Sequence, residues 1–275
     1  MHIKCLIENT STSETYEAEH GLSLYIQTEK HHLLFDFGAS PLFMKNAVQM
    51  DVDLSQIDLG ILSHGHYDHG GGLEAFMKLN DRTKICVTQK AFEKHYSKRS
   101  EQGILNIGLD SKLAENDQIY YIGKMLKVDD ELLLFSDVKG RELVPIGNQY
   151  MFVDANGGTY SQDGFLHEQN LIIEENGKTV LIAGCAHRGI INIVNRAADY
   201  IGKMPDVVIG GFHLHSREES QCETAERIRQ LGELLLQTGS KYYTCHCTGV
   251  KAYEILRSVM GEQMQYFSTG QTLNI

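Results

Sequence analysis

The chain has 275 residues, 42% of them hydrophobic and 22% charged, with three prolines and a formal net charge of −11. That length can bury a full-sized core, and the composition excludes a largely disordered chain. The acidic balance excludes nucleic acid as a partner, because such binding draws on lysine and arginine to neutralise phosphates.

The N-terminal third reads as strands joined by turns. IKCLIEN, LSLYIQT and HHLLFDFG are apolar, partly alternating runs, with Gly21 and the Glu29-Lys30 pair at the turns. They predict an antiparallel opening sheet. PLFMKNAVQM (41–50) carries apolar residues at helical spacing, with Pro41 suited to a first turn. IDLGILS then reads as a buried strand running into SHGHYDHGGG, and LEAFMKLN resumes a helical pattern. KICVTQK predicts a strand and AFEKHYSK a helix.

From about 97 to 147 the pattern is irregular, with short β-type runs such as QIYYIG and ELLLFS. We expect one domain over 1–275 with an insertion at about 97–147. NLIIEENGKTVLIAGCAH predicts a hairpin turning at Asn176-Gly177. Helix and strand then alternate: GIINIVNRAADYIG, DVVIGGFHL, TAERIRQLGELLLQTG, KYYTCHCTG, KAYEILRSVMG and QMQYFST. This rhythm indicates an α/β protein whose sheet is covered by helices.

No stretch approaches the roughly 18 apolar residues of a membrane span, and the N-terminus lacks a basic segment followed by an apolar run. The expectation is a cytoplasmic protein with no membrane partner and a small-molecule substrate. Six cysteines, singly placed apart from Cys245-His246-Cys247, read as reduced thiols.

The chemistry concentrates in SHGHYDHGGG. His64, His66, Asp68 and His69 put three imidazoles and a carboxylate on a glycine-rich loop between a strand and a helix. Open α/β sheets place ligands at such strand ends. Imidazole and carboxylate together suit Zn²⁺, Mn²⁺ or iron, and four such groups exceed one open site, so two adjacent ions are expected. Asp68 is also the candidate catalytic group. Cys185 and His187, two residues apart at a strand end, project to one face and compete for one role. His213 in GGFHL and His246 in CHCTG follow late strands. His95, Lys98 and Arg99 form a basic spot read as an exposed helical face, and His2, His20, His31 and His32 as surface residues. Glu19 and Asp36 are candidate supports for the cluster.

HGHYDHGGGL resembles the HxHxDH signature of the metallo-β-lactamase superfamily. The resemblance implies an αββα sandwich, two mixed sheets with helices on both outer faces, and a site at one edge between the sheets. It implies His64 and His66 as ligands of a first divalent ion and Asp68 and His69 as ligands of a second, with zinc foremost and manganese or iron as alternatives. By the family's spacing, His167 is the third first-site ligand and Cys185 holds the Asp/Cys position. His246 is the preferred final ligand, and His213 a ligand or substrate contact. LIENT, EHGLSL, LLFDFG, GCAHRGIINI, GGFHL and HCTG further resemble the dihydropterin ribofuranosyl-aminobenzene phosphate synthase-like subgroup. The implied activity is metal-dependent hydrolysis of a small phosphorylated or pterin-like substrate by a metal-bound hydroxide. A di-iron redox protein and a non-catalytic, metal-containing ligand sensor are the alternatives.

Overall fold

The computed structural model describes residues 1–154 and 157–275. The chain opens with β1 (His2–Ile7), β2 (Ser23–Gln27) and β3 (His32–Phe35), which pair antiparallel. Helix α1 (Leu42–Gln49), β4 (Leu59–Ile61), the short α2 (Tyr67–Gly70), α3 (Leu73–Leu79) and β5 (Lys84–Thr88) follow. Next come β6 (His95–Arg99), β7 (Gly103–Asn106), β8 (Ile119–Ile122), β9 (Met125–Lys127), β10 (Leu132–Phe135), β11 (Met151–Asp154) and β12 (Tyr160–Gln162). The C-terminal half holds β13 (Asn170–Glu175), β14 (Lys178–Ile182), α4 (Ile190–Ile201), β15 (Val207–Gly210), α5 (Ala225–Gln237), β16 (Lys241–Thr244), α6 (Val250–Met260), β17 (Met264–Tyr266) and β18 (Thr272–Asn274).

The strands form two seven-stranded mixed sheets, ordered β18-β1-β2-β3-β4-β5-β8 and β17-β16-β15-β14-β13-β10-β9. Period-two alternation explains how they stack. In β3, Leu33 and Phe35 enter a core shared with Leu171, Ile173, Val180 and Ile182 of the other sheet. Leu34 between them faces outward onto Phe43 and Ala47 of α1 and Phe76 of α3. In β14, Leu181 faces outward onto α4, α5 and α6 through Ile193, Val194, Leu235 and Leu256. Three apolar layers therefore lie between four structural layers, as the αββα expectation requires. The hairpin between β13 and β14 turns at Asn176 and Gly177, both at positive φ (52° and 76°), the requirement of a type I′ turn.

One predicted element is corrected. Residues 91–98 are not a helix: a turn closes at Glu93, whose N–H donates to the Lys90 carbonyl, and β6 begins at His95. Strand β6 pairs on both sides, with β11 and β7, in a third, four-stranded sheet ordered β12-β11-β6-β7. A helix this short is marginal by itself, and two ladders of hydrogen bonds override it. The 97–147 stretch contributes strands to all three sheets: β7 to the small one, β8 to the edge of the first, and β9 and β10 to the second.

Candidate metal centre

Strands β3 and β4 run parallel, as do β14, β15 and β16, and their carboxyl ends meet at one edge of the sandwich. The 64–71 loop is clamped there by backbone bonds. The Phe37 and Leu22 N–H groups donate to the carbonyls of His69 and Asp68 at 2.7 and 3.1 Å, and the Tyr67 N–H donates to the Ile107 carbonyl at 2.8 Å. Close approach demands glycine at Gly65, where a Cβ would stand 2.0 Å from the Ala91 carbonyl oxygen.

Four of the cluster imidazoles, His64, His69, His187 and His246, are held through Nδ1. His69 donates from Nδ1 to Asp36 Oδ2 at 2.6 Å, and the Ser63 hydroxyl donates to the same oxygen at 2.7 Å. His64 Nδ1 lies 2.9 Å from that hydroxyl oxygen, His187 Nδ1 is 3.0 Å from Asn148 Oδ1, and His246 Nδ1 is 2.8 Å from Asn9 Oδ1. With oxygen acceptors at Nδ1, the neutral form of each of these four rings leaves Nε2 bare. Nε2 of His64, His66 and His187 is buried with no hydrogen-bond partner among the described residues. Nε2 of His69 is 3.2 Å from His246 Nε2 and 3.1 Å from Cys185 Sγ; Asp68 Oδ2 is 3.3 Å from His246 Nε2 and 3.8 Å from His69 Nε2.

Ligands about 2.0–2.3 Å from a tetrahedral ion sit roughly 3.3–3.8 Å from each other. The spacings around Asp68, His69, Cys185 and His246 fit a divalent ion; His64 and His187 form a second set with Cys185 beside it, and His66 lies within ligand distance of His95, Asp163 and His167. Cys185 lies within ligand distance of both sets.

Electrostatics agree with a cation site. Burial, reinforced by neighbouring imidazoles, holds His64, His66 and His187 well below the usual histidine value, so they are neutral donors at pH 7. Burial alone would lower His69 too, but Asp36 and Asp68 override it and carry the imidazole up to about 9. That position selects positive charge. Burial opposes ionisation of Asp68, yet His69, His246 and His20 hold it well below the carboxylate range.

His167 stands elsewhere. Its Nδ1 accepts the Gly65 N–H at 2.9 Å and its Nε2 faces Asp163 Oδ2 at 3.2 Å, so both nitrogens already have partners within the protein. His167 lies with His66, His95 and Asp163, and His187 with His64 and Cys185. His95, read as an exposed residue, is buried; its Nδ1 is 3.0 Å from Asp163 Oδ2 and its ring lies 3.9 Å from that of His167. The pair of imidazoles holds Asp163 far below its ordinary value against the effect of burial. His20 likewise belongs to the site, with Nε2 at 3.3 Å from Asp68 Oδ2 and its pKa pushed down to about 4 by burial and His246. The His213 ring lies 4.2 Å from that of His187, tilted by 53°, and has a buried Nδ1 with no hydrogen-bond partner among the described residues.

Sequence reading missed Asn148, Glu168 and Asn9. Glu168 accepts the His187 and Arg188 N–H groups at 2.6 and 3.0 Å, fixing the loop after β14. Nothing local distinguishes these residues, whereas the alternation His95-Ser97-Arg99 could have signalled a strand with His95 inside. Glu19 does not touch the imidazoles; its carboxylate accepts from Ala39 N and Ser40 Oγ at 3.0 and 2.6 Å. His66, Asp68, Cys185 and His187 line a cavity of about 310 Å³ whose mouth includes Tyr67, Arg99, His215 and Arg217.

Residues 17–146 match the family model described as the metallo-beta-lactamase superfamily. The chain is 28% identical over 258 residues to an uncharacterized protein of Methanocaldococcus jannaschii, covering 91% of each chain. It is 25% identical over 271 residues to that organism's 7,8-dihydropterin-6-methyl-4-(beta-D-ribofuranosyl)-aminobenzene-5'-phosphate synthase, covering 93% of this chain and 90% of the relative. Among solved structures it matches Tm1679, a metal-dependent hydrolase of the beta-lactamase superfamily, with TM-score 0.83 and 28% identity over 100% of this chain and 99% of that one. No helix among the described residues is long and apolar enough to cross a membrane.

Proposed function

We propose that the chain is a metal-dependent hydrolase of the metallo-β-lactamase superfamily acting on a small phosphorylated or pterin-like molecule. The observation that carries this is the gathering of His64, His66, His69, His187 and His246 around Asp68 and Cys185, beside a cavity that His66, Asp68, Cys185 and His187 line. His64, His66 and His187 would hold one divalent ion, and Asp68, His69 and His246 a second, with Cys185 shared. Such ions, when bound, supply Lewis acidity and lower the pKa of water from 15.7 toward about 7.

The remaining work falls to the chain's own groups. Asp68 Oδ2 faces the cavity beside His20, and a carboxylate there can accept a hydrogen bond from the attacking water and orient it. Asn9 is 3.2 Å from His20 Nδ1, which leaves the other nitrogen turned toward Asp68 and in place to move a proton. At the mouth, burial and Asp68 raise the Tyr67 phenol, while Arg217 and Arg99 oppose them. Two guanidiniums at the mouth of a chain carrying −11 suit a phosphate or carboxylate on the substrate. The relative named as a phosphate synthase supports the same substrate class.

Metal-reconstituted protein should be assayed on phosphomonoesters, phosphodiesters, lactones and β-lactams. Turnover of a phosphate ester, abolished in Asp68→Ala, is expected. Arg217→Ala should raise KM by about tenfold or more, the loss of one charge-assisted hydrogen bond. Inactivity on every substrate with zinc, manganese and iron would overturn the hydrolytic reading in favour of a ligand sensor.

A further inference from the structure

We propose that Cys185 and Cys247 form a modification site, a thiol pair that a peroxide converts reversibly to an intramolecular disulfide. Their sulfurs and a ring nitrogen of His213 all lie within 4.8 Å of one another. Both cysteines line the 310 Å³ cavity, whereas Cys5, Cys86 and Cys245 are buried away from it and the half-buried Cys222 lies outside its lining. A peroxide-sized molecule that reaches the cavity floor therefore meets these two thiols and not the others.

The backbone favours the pair. Cys185 follows the end of β14 and Cys247 lies in the short turn after β16, so neither is locked within a ladder of strand hydrogen bonds. The His213 N–H donates to Cys247 Sγ at 3.2 Å and fixes that sulfur beside Cys185. Cys247 sulfur attacks a peroxide oxygen, the O–O bond breaks and one water's oxygen departs, leaving a sulfenic acid. Cys185 sulfur then attacks that sulfur, the S–S bond forms, and the S–O bond breaks to release the second water. Two thiols and one hydrogen peroxide yield one disulfide and two waters, with sulfur oxidised and peroxide reduced.

Cys185 Sγ lies 3.1 Å from His69 Nε2, so the disulfide removes a thiolate from the centre of both ligand sets. The site thus couples oxidation to metal retention, whatever reaction the site performs. The full chain, metal-free and metal-loaded, is treated with hydrogen peroxide, alkylated, digested and mapped by mass spectrometry. The expected product joins the Cys185 and Cys247 peptides at a mass two hydrogens lower, disappears with dithiothreitol and forms more slowly in the loaded protein. Bound metal should fall as the link forms, and Cys247→Ser should give no link and keep its metal under peroxide. Free, alkylated Cys185 and Cys247 after treatment, or irreversible sulfinic acid without a link, would overturn the proposal; the wild-type map decides even if the variant misfolds.

Discussion

At the scale of single residues, the site is defined by which nitrogen of each ring is left over. His187 presents a bare Nε2 because Asn148 occupies Nδ1, whereas both nitrogens of His167 are engaged. His187→Ala should therefore lower bound zinc by one equivalent in elemental analysis, while His167→Ala keeps full stoichiometry; the reverse result would exchange their roles. Asp36 anchors His69 Nδ1 and Ser63. Asp36→Asn should weaken metal affinity about 10–100-fold in competition with a chromogenic chelator, with the circular dichroism spectrum unchanged. His64, His66, Asp68 and His69 were legible because all four sit in one short motif. His187 and His246 were legible as candidates at strand ends. That Nδ1 of His187 has a partner while both nitrogens of His167 are engaged was not, since it depends on groups contributed by residues far away in sequence.

At the scale of elements, the cluster depends on turns that let backbones touch. A methyl at Gly65 would collide with the Ala91 carbonyl at 2.0 Å and meet His95 Nε2 at 3.0 Å. Backbone cannot yield as a side chain does, so Gly65→Ala should cost about 3 kcal/mol or more, read as a fall in the urea midpoint at constant m-value. Regular elements with a clear period were read correctly: the Asn176-Gly177 hairpin and the alternating helices and strands after residue 189. The failure at 91–98 has a definite cause. That segment is short and its apolar residues fit either period, so its state was decided by pairing with β11 and β7, the first of which is more than fifty residues away.

At the scale of the whole molecule, polar ties between the two sheets add to the shared apolar core. His31, between β2 and β3, faces Asp129 at 2.7 Å and Asp58 at 3.3 Å, and Asp129 belongs to the turn between β9 and β10 of the other sheet. Burial lowers its affinity for a proton, but the two carboxylates outweigh this and raise the pKa. The folded value lies above the unfolded one, so this stabilisation is fully present below about pH 6.5 and is lost as pH rises through the folded pKa. His31→Gln should remove that component, flattening the dependence of urea midpoint on pH above about 6.5; an unchanged profile would refute the tie. The sequence by itself determined the layered α/β class, the period of the main elements and the grouping of His64, His66, Asp68 and His69 on one loop, because these reside in local spacing. Only the tertiary structure decided which later histidines face that loop, that His95 and His20 belong beside it, and that two thiols share its cavity. Those outcomes depend on which strand ends meet at the sandwich edge and on hydrogen-bond partners drawn from distant loops, and local spacing carries neither.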